Sequence, residues 1–129
     1  MGMVLVSKCC AGIKCRYRHN GFFRKFLAEI GESTDFIAVC PEMLGGLPTP
    51  REGCSVKGKR GKDGLRVIGR KTGRDYTEEY MLGAKRTLDI CLQNGIRMAY
   101  LLKDSPSCGK DYGLTAIMLE NHGIEVIPV

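Results

Sequence analysis

The sequence predicts an α/β fold, organised as a single-domain, three-layer sandwich around a mostly parallel, Rossmann-like sheet. Two observations lead to this prediction. The 129 residues are close to the commonest size of a single domain, so we expect residues 1–129 to form one unit. Short apolar runs also alternate along the chain with segments of helical periodicity, and this alternation favours parallel strands covered on both faces by helices.

The first part of the chain predicts two strands separated by a helix. Met3–Ser7 is a short apolar run that leads into a cysteine-rich turn, and Gly21–Ile30 repeats apolar residues at helical spacing. Phe36–Val39 is rich in β-forming residues and ends before Pro41, which cannot donate a ladder hydrogen bond. Two glycines and two prolines make Met43–Arg51 loop-like.

The middle of the chain predicts a basic loop followed by the longest helix. Lys57–Arg74 contains eight Lys or Arg residues, five glycines and one acidic residue, with a short strand expected at Leu65–Ile68. Asp75, or alternatively Thr77, is suited to cap a helix that ends near Gly95. The remaining predicted elements are a strand at Arg97–Leu102, a turn at Ser105–Gly109, a helix at Leu114–Asn121 and a strand at Ile124–Ile127.

Composition narrows the functional class. Hydrophobic residues make up 43% of the chain and charged residues 26%, which is typical of a globular protein and not of a disordered one. No apolar run approaches the roughly 18 residues that span a bilayer, and Met1–Lys8 is too short for a signal peptide, so we expect a cytoplasmic protein without membrane contact. The net charge of +6 favours anionic partners.

Seven cysteines indicate thiol or metal chemistry, because an odd number at this density is unlike a disulfide-stapled domain. Cys9 and Cys40 follow the first and second predicted strands, and Cys108 lies just past the strand that ends at Leu102. Right-handed crossovers bring these strand ends to the same edge of a parallel sheet. The pattern therefore predicts a three-thiolate site for an iron–sulfur cluster or zinc. For Cys10, Cys54 and Cys91, the favoured reading is that of small buried apolar residues.

A phosphate-binding loop is an alternative use of the same region. Cys10 and Arg16 have the C-x5-R spacing in which an arginine and backbone N–H groups hold a phosphate while a thiolate attacks it, as in low-molecular-weight tyrosine phosphatases. Tyr17 replaces the hydroxyl residue expected after the arginine, and the sequence contains no Asp-Pro pair for the general acid. These two departures disfavour the phosphatase reading.

The sequence as a whole resembles a domain-of-unknown-function family that includes the bacterial thiouracil desulfidase. The resemblance runs nearly from end to end, and the order and spacing of its segments match. Its segments are Val6–Gly12 with Cys15–Tyr17, Val39–Arg51, Thr72–Asp75, Ser105–Gly109 and Leu119–Val126. The proline-rich block Val39–Arg51 is the most specific of them.

The resemblance implies a [4Fe–4S] cluster that is held by Cys9, Cys40 and Cys108 and leaves its fourth iron open to substrate sulfur. It also implies that Glu42 and Ser105 serve proton transfer and water attack. Without the resemblance, Glu42 could equally cap a helix or turn after Pro41, and Ser105 could form a turn before Pro106. Arg16 and Tyr17 are further candidates, either as pocket-lining residues or as ligands of a substrate phosphate.

The leading hypothesis is therefore a non-redox desulfidase of a small thiolated pyrimidine or its nucleotide. The rival hypothesis is a non-catalytic iron–sulfur or zinc-binding protein. Contact of Lys57–Arg74 with nucleic acid is conceivable but not favoured over a solvated hairpin, because no aromatic residue is interleaved to stack on bases. The sequence gives no indication of the oligomeric state.

Overall fold

A computed structural model describes residues 3–7, 35–48, 52–58, 65–102, 105–109 and 113–128. The helix predicted at Gly21–Ile30 lies outside these residues. In chain order the elements are β1 (Val4–Ser7), β2 (Phe36–Val39), α1 (Pro41–Leu44), β3 (Cys54–Lys57), β4 (Arg66–Gly69), α2 (Thr77–Gln93), β5 (Met98–Leu101), α3 (Leu114–Asn121) and β6 (Glu125–Pro128).

The main sheet has four parallel strands in the order β2-β1-β5-β6. Its register pairs Leu5 with Ile37 on one side and with Ala99 on the other. All four residues of β1 are buried, as expected for a central strand covered on both faces. The sheet confirms the predicted α/β class with a mostly parallel sheet.

The order of the strands creates a switch point between β1 and β5. The chain passes from β1 to its neighbour β2, then returns across β1 to β5, and continues in the same direction to β6. The connections that leave β1 and β5 therefore run in opposite directions. In open α/β sheets, ligands bind outside the carboxyl ends of the strands at such a point.

The core lies between the sheet and the two longer helices. Helices α2 and α3 pack against each other, and their Cys91 and Leu119 are fully buried in the same cluster as Leu5 and Leu101 of the sheet. Helix α2 ends where predicted, because Gly95 takes the left-handed conformation (φ 63°) and the chain turns back there. No helix in the described part of the chain is long and apolar enough to cross a membrane.

Two elements differ from the sequence prediction. Helix α1 occupies the start of the predicted loop, and β3 pairs with β4 as an antiparallel hairpin with Cys54 opposite Gly69. The predicted cap of α2 is shifted by one residue: Tyr76 holds the cap position, while Asp75 Oδ1 accepts a hydrogen bond from the Thr77 amide at 2.9 Å. Asp75, one residue before the cap, thus supplies a hydrogen-bond acceptor to the first turn of the helix.

The Glu52 carboxylate anchors the hairpin to the start of α2. Glu52 accepts hydrogen bonds from the Lys71 amide (2.9 Å), the Thr72 amide (3.1 Å), Thr72 Oγ1 (2.6 Å) and the Tyr76 hydroxyl (2.7 Å). These donors, with the Thr72 hydroxyl foremost, lower the pKa of Glu52 to about 2. The described part of the basic segment Lys57–Arg74 is therefore a hairpin anchored to α2.

Candidate functional site at the carboxyl edge of the sheet

Cys40 and Glu42 are placed by the end of β2. The strand stops at Val39, and Pro41 begins α1 because its fixed φ and missing N–H suit the first turn of a helix. Cys40 is buried at the carboxyl end of the strand, as predicted, and Glu42 lies in the first turn of α1.

Helix α1 is pressed against α2 at two glycines. A Cβ atom on Gly83 would lie 1.8 Å from the Pro41 carbonyl oxygen, and a Cβ atom on Gly45 would lie 1.9 Å from the Glu79 carbonyl oxygen. Backbones can approach this closely only where side chains are absent. Arg86 adds a 2.6 Å hydrogen bond from its Nη1 to the Leu44 carbonyl. The position of Glu42 is thereby fixed by the packing of the short helix.

The turn at Ser105–Gly109 places Cys108. Ser105 Oγ accepts hydrogen bonds from the amides of Ser107 and Cys108, both at 3.2 Å, and the Gly109 amide donates to the Ser105 carbonyl at 2.8 Å. The Ser107 carbonyl in turn accepts from the Thr115 amide at 2.9 Å. Ser105 therefore forms the turn, which is one of the two roles expected for it.

Glu42 meets two serine hydroxyls from this turn. Ser107 Oγ donates to Glu42 Oε2 at 3.0 Å, Ser105 Oγ lies 3.5 Å from the same oxygen, and the two hydroxyls are 3.1 Å apart. The predicted pair of Glu42 and Ser105 is thus brought together across more than sixty positions of sequence. Ser107 was not among the predicted site residues, although the Ser-Pro-Ser-Cys segment contains two hydroxyls beside one cysteine.

Tyr80 approaches the same carboxylate from α2. Its side chain is 1% exposed and lies near Glu42 and Cys54. Burial, and then the neighbouring Glu42 charge, raise the pKa of Tyr80, so the phenol keeps its proton beside this carboxylate. From helical spacing, Tyr80 was expected only on the apolar face of the helix, and its position near Glu42 was not predicted.

The Cys108 sulfur lies among hydroxyl groups in a buried environment. Its side chain is 4% exposed; the sulfur accepts a hydrogen bond from Ser7 Oγ at 3.4 Å, and Ser107 Oγ lies 3.5 Å from it. Burial raises the pKa of the Cys108 thiol to about 11; the two hydroxyls oppose this shift, whereas the charges of Glu42 and Cys40 add to it. Cys40 and Cys108 also belong to the same buried cluster of the core.

Ser7 joins the two strands of the switch point. It ends β1, and its hydroxyl accepts a 3.0 Å hydrogen bond from the Leu102 amide, directly after β5. Ser7 was not among the predicted site residues. The available signal was a hydroxyl at the end of an otherwise apolar strand, immediately before the cysteine-rich turn.

The other predicted site residues and the remaining cysteines fall in two groups. Cys9, Arg16 and Tyr17 lie outside the described residues, as do Cys10 and Cys15. Within the described part of the chain, no three His, Cys, Asp or Glu side chains come together as a metal site. Cys54 and Cys91 are buried in apolar clusters, as expected of small core residues, and burial alone raises the pKa of Cys91 to about 11.

The fold and this edge define a parallel α/β protein whose thiol, carboxyl and hydroxyl groups converge at the switch point of the sheet. The chain belongs to the 2-thiouracil desulfurase family, whose sequence model matches residues 4–128. This confirms the family resemblance inferred from the motifs.

Two relatives match over almost the whole chain. The uncharacterized protein YbbK of Bacillus subtilis (strain 168) is 34% identical over 142 aligned positions, which cover 97% of this chain and 94% of YbbK. The solved structure of the [4Fe–4S]-dependent thiouracil desulfidase TudS (DUF523) superposes with a TM-score of 0.83 at 33% identity, covering 99% of this chain and 91% of that one.

Proposed function

We propose that this protein is an iron–sulfur-dependent desulfidase that removes sulfur from a thiolated pyrimidine without net redox change. The observation that carries the proposal is the convergence of Glu42 with the serine turn that holds Cys108, at the switch point of a fold similar to that of TudS. Such an edge is where open α/β sheets bind their ligands.

The side chains at this edge suit an iron–sulfur cluster. Thiolates are the ligands that such clusters prefer, and hydrogen bonds to the ligand sulfur are a common means of tuning them. Cys108 is buried, and its sulfur already accepts a hydrogen bond from the Ser7 hydroxyl. Cys40 follows β2, which is separated from β5 in the sheet by β1 alone. We propose Cys9, Cys40 and Cys108 as the three ligands of a [4Fe–4S] cluster. With three protein ligands, the cluster would supply one open, Lewis-acidic iron for the sulfur of the substrate.

Glu42 is the proposed proton carrier. The Ser107 hydroxyl holds its Oε2 atom at 3.0 Å, so the carboxylate is oriented before substrate binds. Oε2 would take the proton of the attacking water and return it to the departing sulfur group. Ser105, 3.5 Å from the same atom, would orient that water.

The proposed substrates are thiouracil or a thiouridine nucleotide. Arg16 and Tyr17 are the candidates to contact the substrate or its phosphate. A basic chain with a net charge of +6 is compatible with an anionic nucleotide.

The experiment is a sulfide-release assay on anaerobically purified protein with its iron and acid-labile sulfide measured. We expect sulfide release from 4-thiouracil or 4-thiouridine monophosphate. The test variant is Glu42→Gln, which keeps the shape of the side chain but cannot carry the proton. We expect its turnover to fall by about 10²–10⁴-fold with its iron content unchanged. A cluster-loaded wild-type protein that is inert on both compounds would contradict the enzyme assignment and favour an iron–sulfur protein without catalysis.

A further inference from the structure

Ser7 is a buried polar residue at the end of an apolar central strand. It is 4% exposed and follows Val4, Leu5 and Val6, of which the last two are completely buried. A hydroxyl in such a place must find hydrogen-bond partners to offset its loss of water. Its partners are therefore informative.

The hydrogen bonds of Ser7 fix the direction of its hydroxyl proton. The Leu102 amide donates to Ser7 Oγ at 3.0 Å and so occupies a lone pair of that oxygen. The hydroxyl proton then points to the Cys108 sulfur, 3.4 Å away. Ser7 thus links the ends of β1 and β5 to Cys108 in one arrangement.

Ser107 is the other hydroxyl near this sulfur, but it has a better acceptor. The Ser107 hydroxyl has one proton to donate, and its oxygen lies 3.5 Å from Cys108 Sγ but 3.0 Å from Glu42 Oε2. A carboxylate oxygen at the shorter distance is the stronger acceptor. Among the described residues, Ser7 is therefore the hydroxyl committed to Cys108.

We propose that Ser7 is a positioning residue that orients the Cys108 sulfur and tunes it as a cluster ligand. This inference rests on the proposed function, in that it takes Cys108 as a ligand. A hydroxyl hydrogen bond withdraws electron density from a ligand sulfur, which stabilises the more negative, reduced cluster. It also holds the ligand in the orientation required for binding.

The test compares Ser7→Val with Ser7→Thr in the full-length protein, reconstituted without oxygen. Valine and threonine have the same shape, so any effect of the branched side chain on packing is common to both variants. We expect Ser7→Val to shift the reduction potential of the cluster to more negative values and to lose its cluster in air about tenfold faster, whereas Ser7→Thr stays close to wild type. Ser7→Ala replaces Ser7→Val if circular dichroism shows that the latter does not fold.

Equal potentials and equal rates of cluster loss in the valine and threonine variants would overturn the inference. A wild-type protein that takes up no cluster would overturn both this inference and the proposed function. The readouts do not depend on turnover, so a potential shift in a protein that releases no sulfide would support the role of Ser7 while contradicting the desulfidase activity.

Discussion

The Glu42 carboxylate has hydroxyl groups from two separate elements around it. Ser107, in the turn before α3, donates a hydrogen bond to it, and the buried Tyr80 hydroxyl lies nearby on α2. Ser105 accepts two backbone amide hydrogen bonds, which directs its own proton towards Ser107 and Glu42. Groups from different parts of the chain hold a side chain more rigidly than groups on one loop.

Replacement of Tyr80 by phenylalanine tests this arrangement. Tyr80→Phe removes the buried hydroxyl beside Glu42, so we expect about a tenfold lower kcat and a free energy of unfolding lower by about 1–3 kcal/mol. The matched control is Tyr76→Phe, which also removes a hydroxyl, but one bonded to a glutamate in the hairpin. It should lower the melting temperature and leave kcat unchanged. Equal kcat in the two variants would show that Tyr80 has only a structural role.

At the scale of elements, the close contact of α1 with α2 positions the site. The Gly83 position leaves no space for a Cβ atom against the Pro41 carbonyl. We expect Gly83→Ala to displace α1, to lower the free energy of unfolding by about 1–3 kcal/mol, and to reduce turnover because Glu42 moves with the helix. Chemical denaturation and the sulfide assay measure the two effects. Lys85→Ala, at an exposed position of the same helix, is the control and should change neither.

The hairpin anchor gives a pH-dependent contribution to stability. The pKa of Glu52 is lowered from 4.5 to about 2 in the folded protein, so its ionised form stabilises the fold above pH 4.5, and this contribution is lost as the pH falls towards 2. We therefore expect Glu52→Gln to have a lower melting temperature than wild type at pH 7, with a difference that shrinks below pH 4.5.

Glu78→Gln makes the same chemical change at an exposed position of α2 and is the control for the hairpin experiment. Asp75, whose pKa is also lowered to about 2, chiefly by its hydrogen bonds with Thr77, is present in all three proteins and cancels in the comparison. A difference between wild type and Glu52→Gln that persists unchanged at pH 2 would contradict the role of the ionised carboxylate.

For the molecule as a whole, the sheet was predictable because its strands are short apolar runs bounded by turns. The predicted bounds of β1, β2, β5 and β6 differ from the observed ones by at most one residue. Helix α1 was expected only as one alternative, a helix or turn after Pro41, because four residues are too few to show helical periodicity. Strand β3 was missed because Cys54–Lys57 is short and only partly apolar, and its pairing with β4 is what stabilises it.

The site was predictable to the extent that it follows from topology and from the family motifs. Cys40 directly follows β2, and Cys108 lies within hydrogen-bond distance of Ser7 at the end of the parallel strand β1, so the structure places both at the same edge. The contacts of Ser7 and Tyr80 depend on packing between distant segments, since Ser7 and Cys108 are 101 positions apart. No local pattern records such a partnership, and the ligand set itself stays a prediction.

The most direct test of this ligand set is the iron and sulfide content of cysteine variants reconstituted without oxygen. We predict one [4Fe–4S] cluster per chain in wild type and a marked loss of cluster in Cys9→Ala, Cys40→Ala and Cys108→Ala. Cys54→Ala and Cys91→Ala, which alter buried cysteines that are not in the predicted ligand set, should retain the cluster of wild type. Full cluster content in Cys40→Ala or Cys108→Ala would contradict the account.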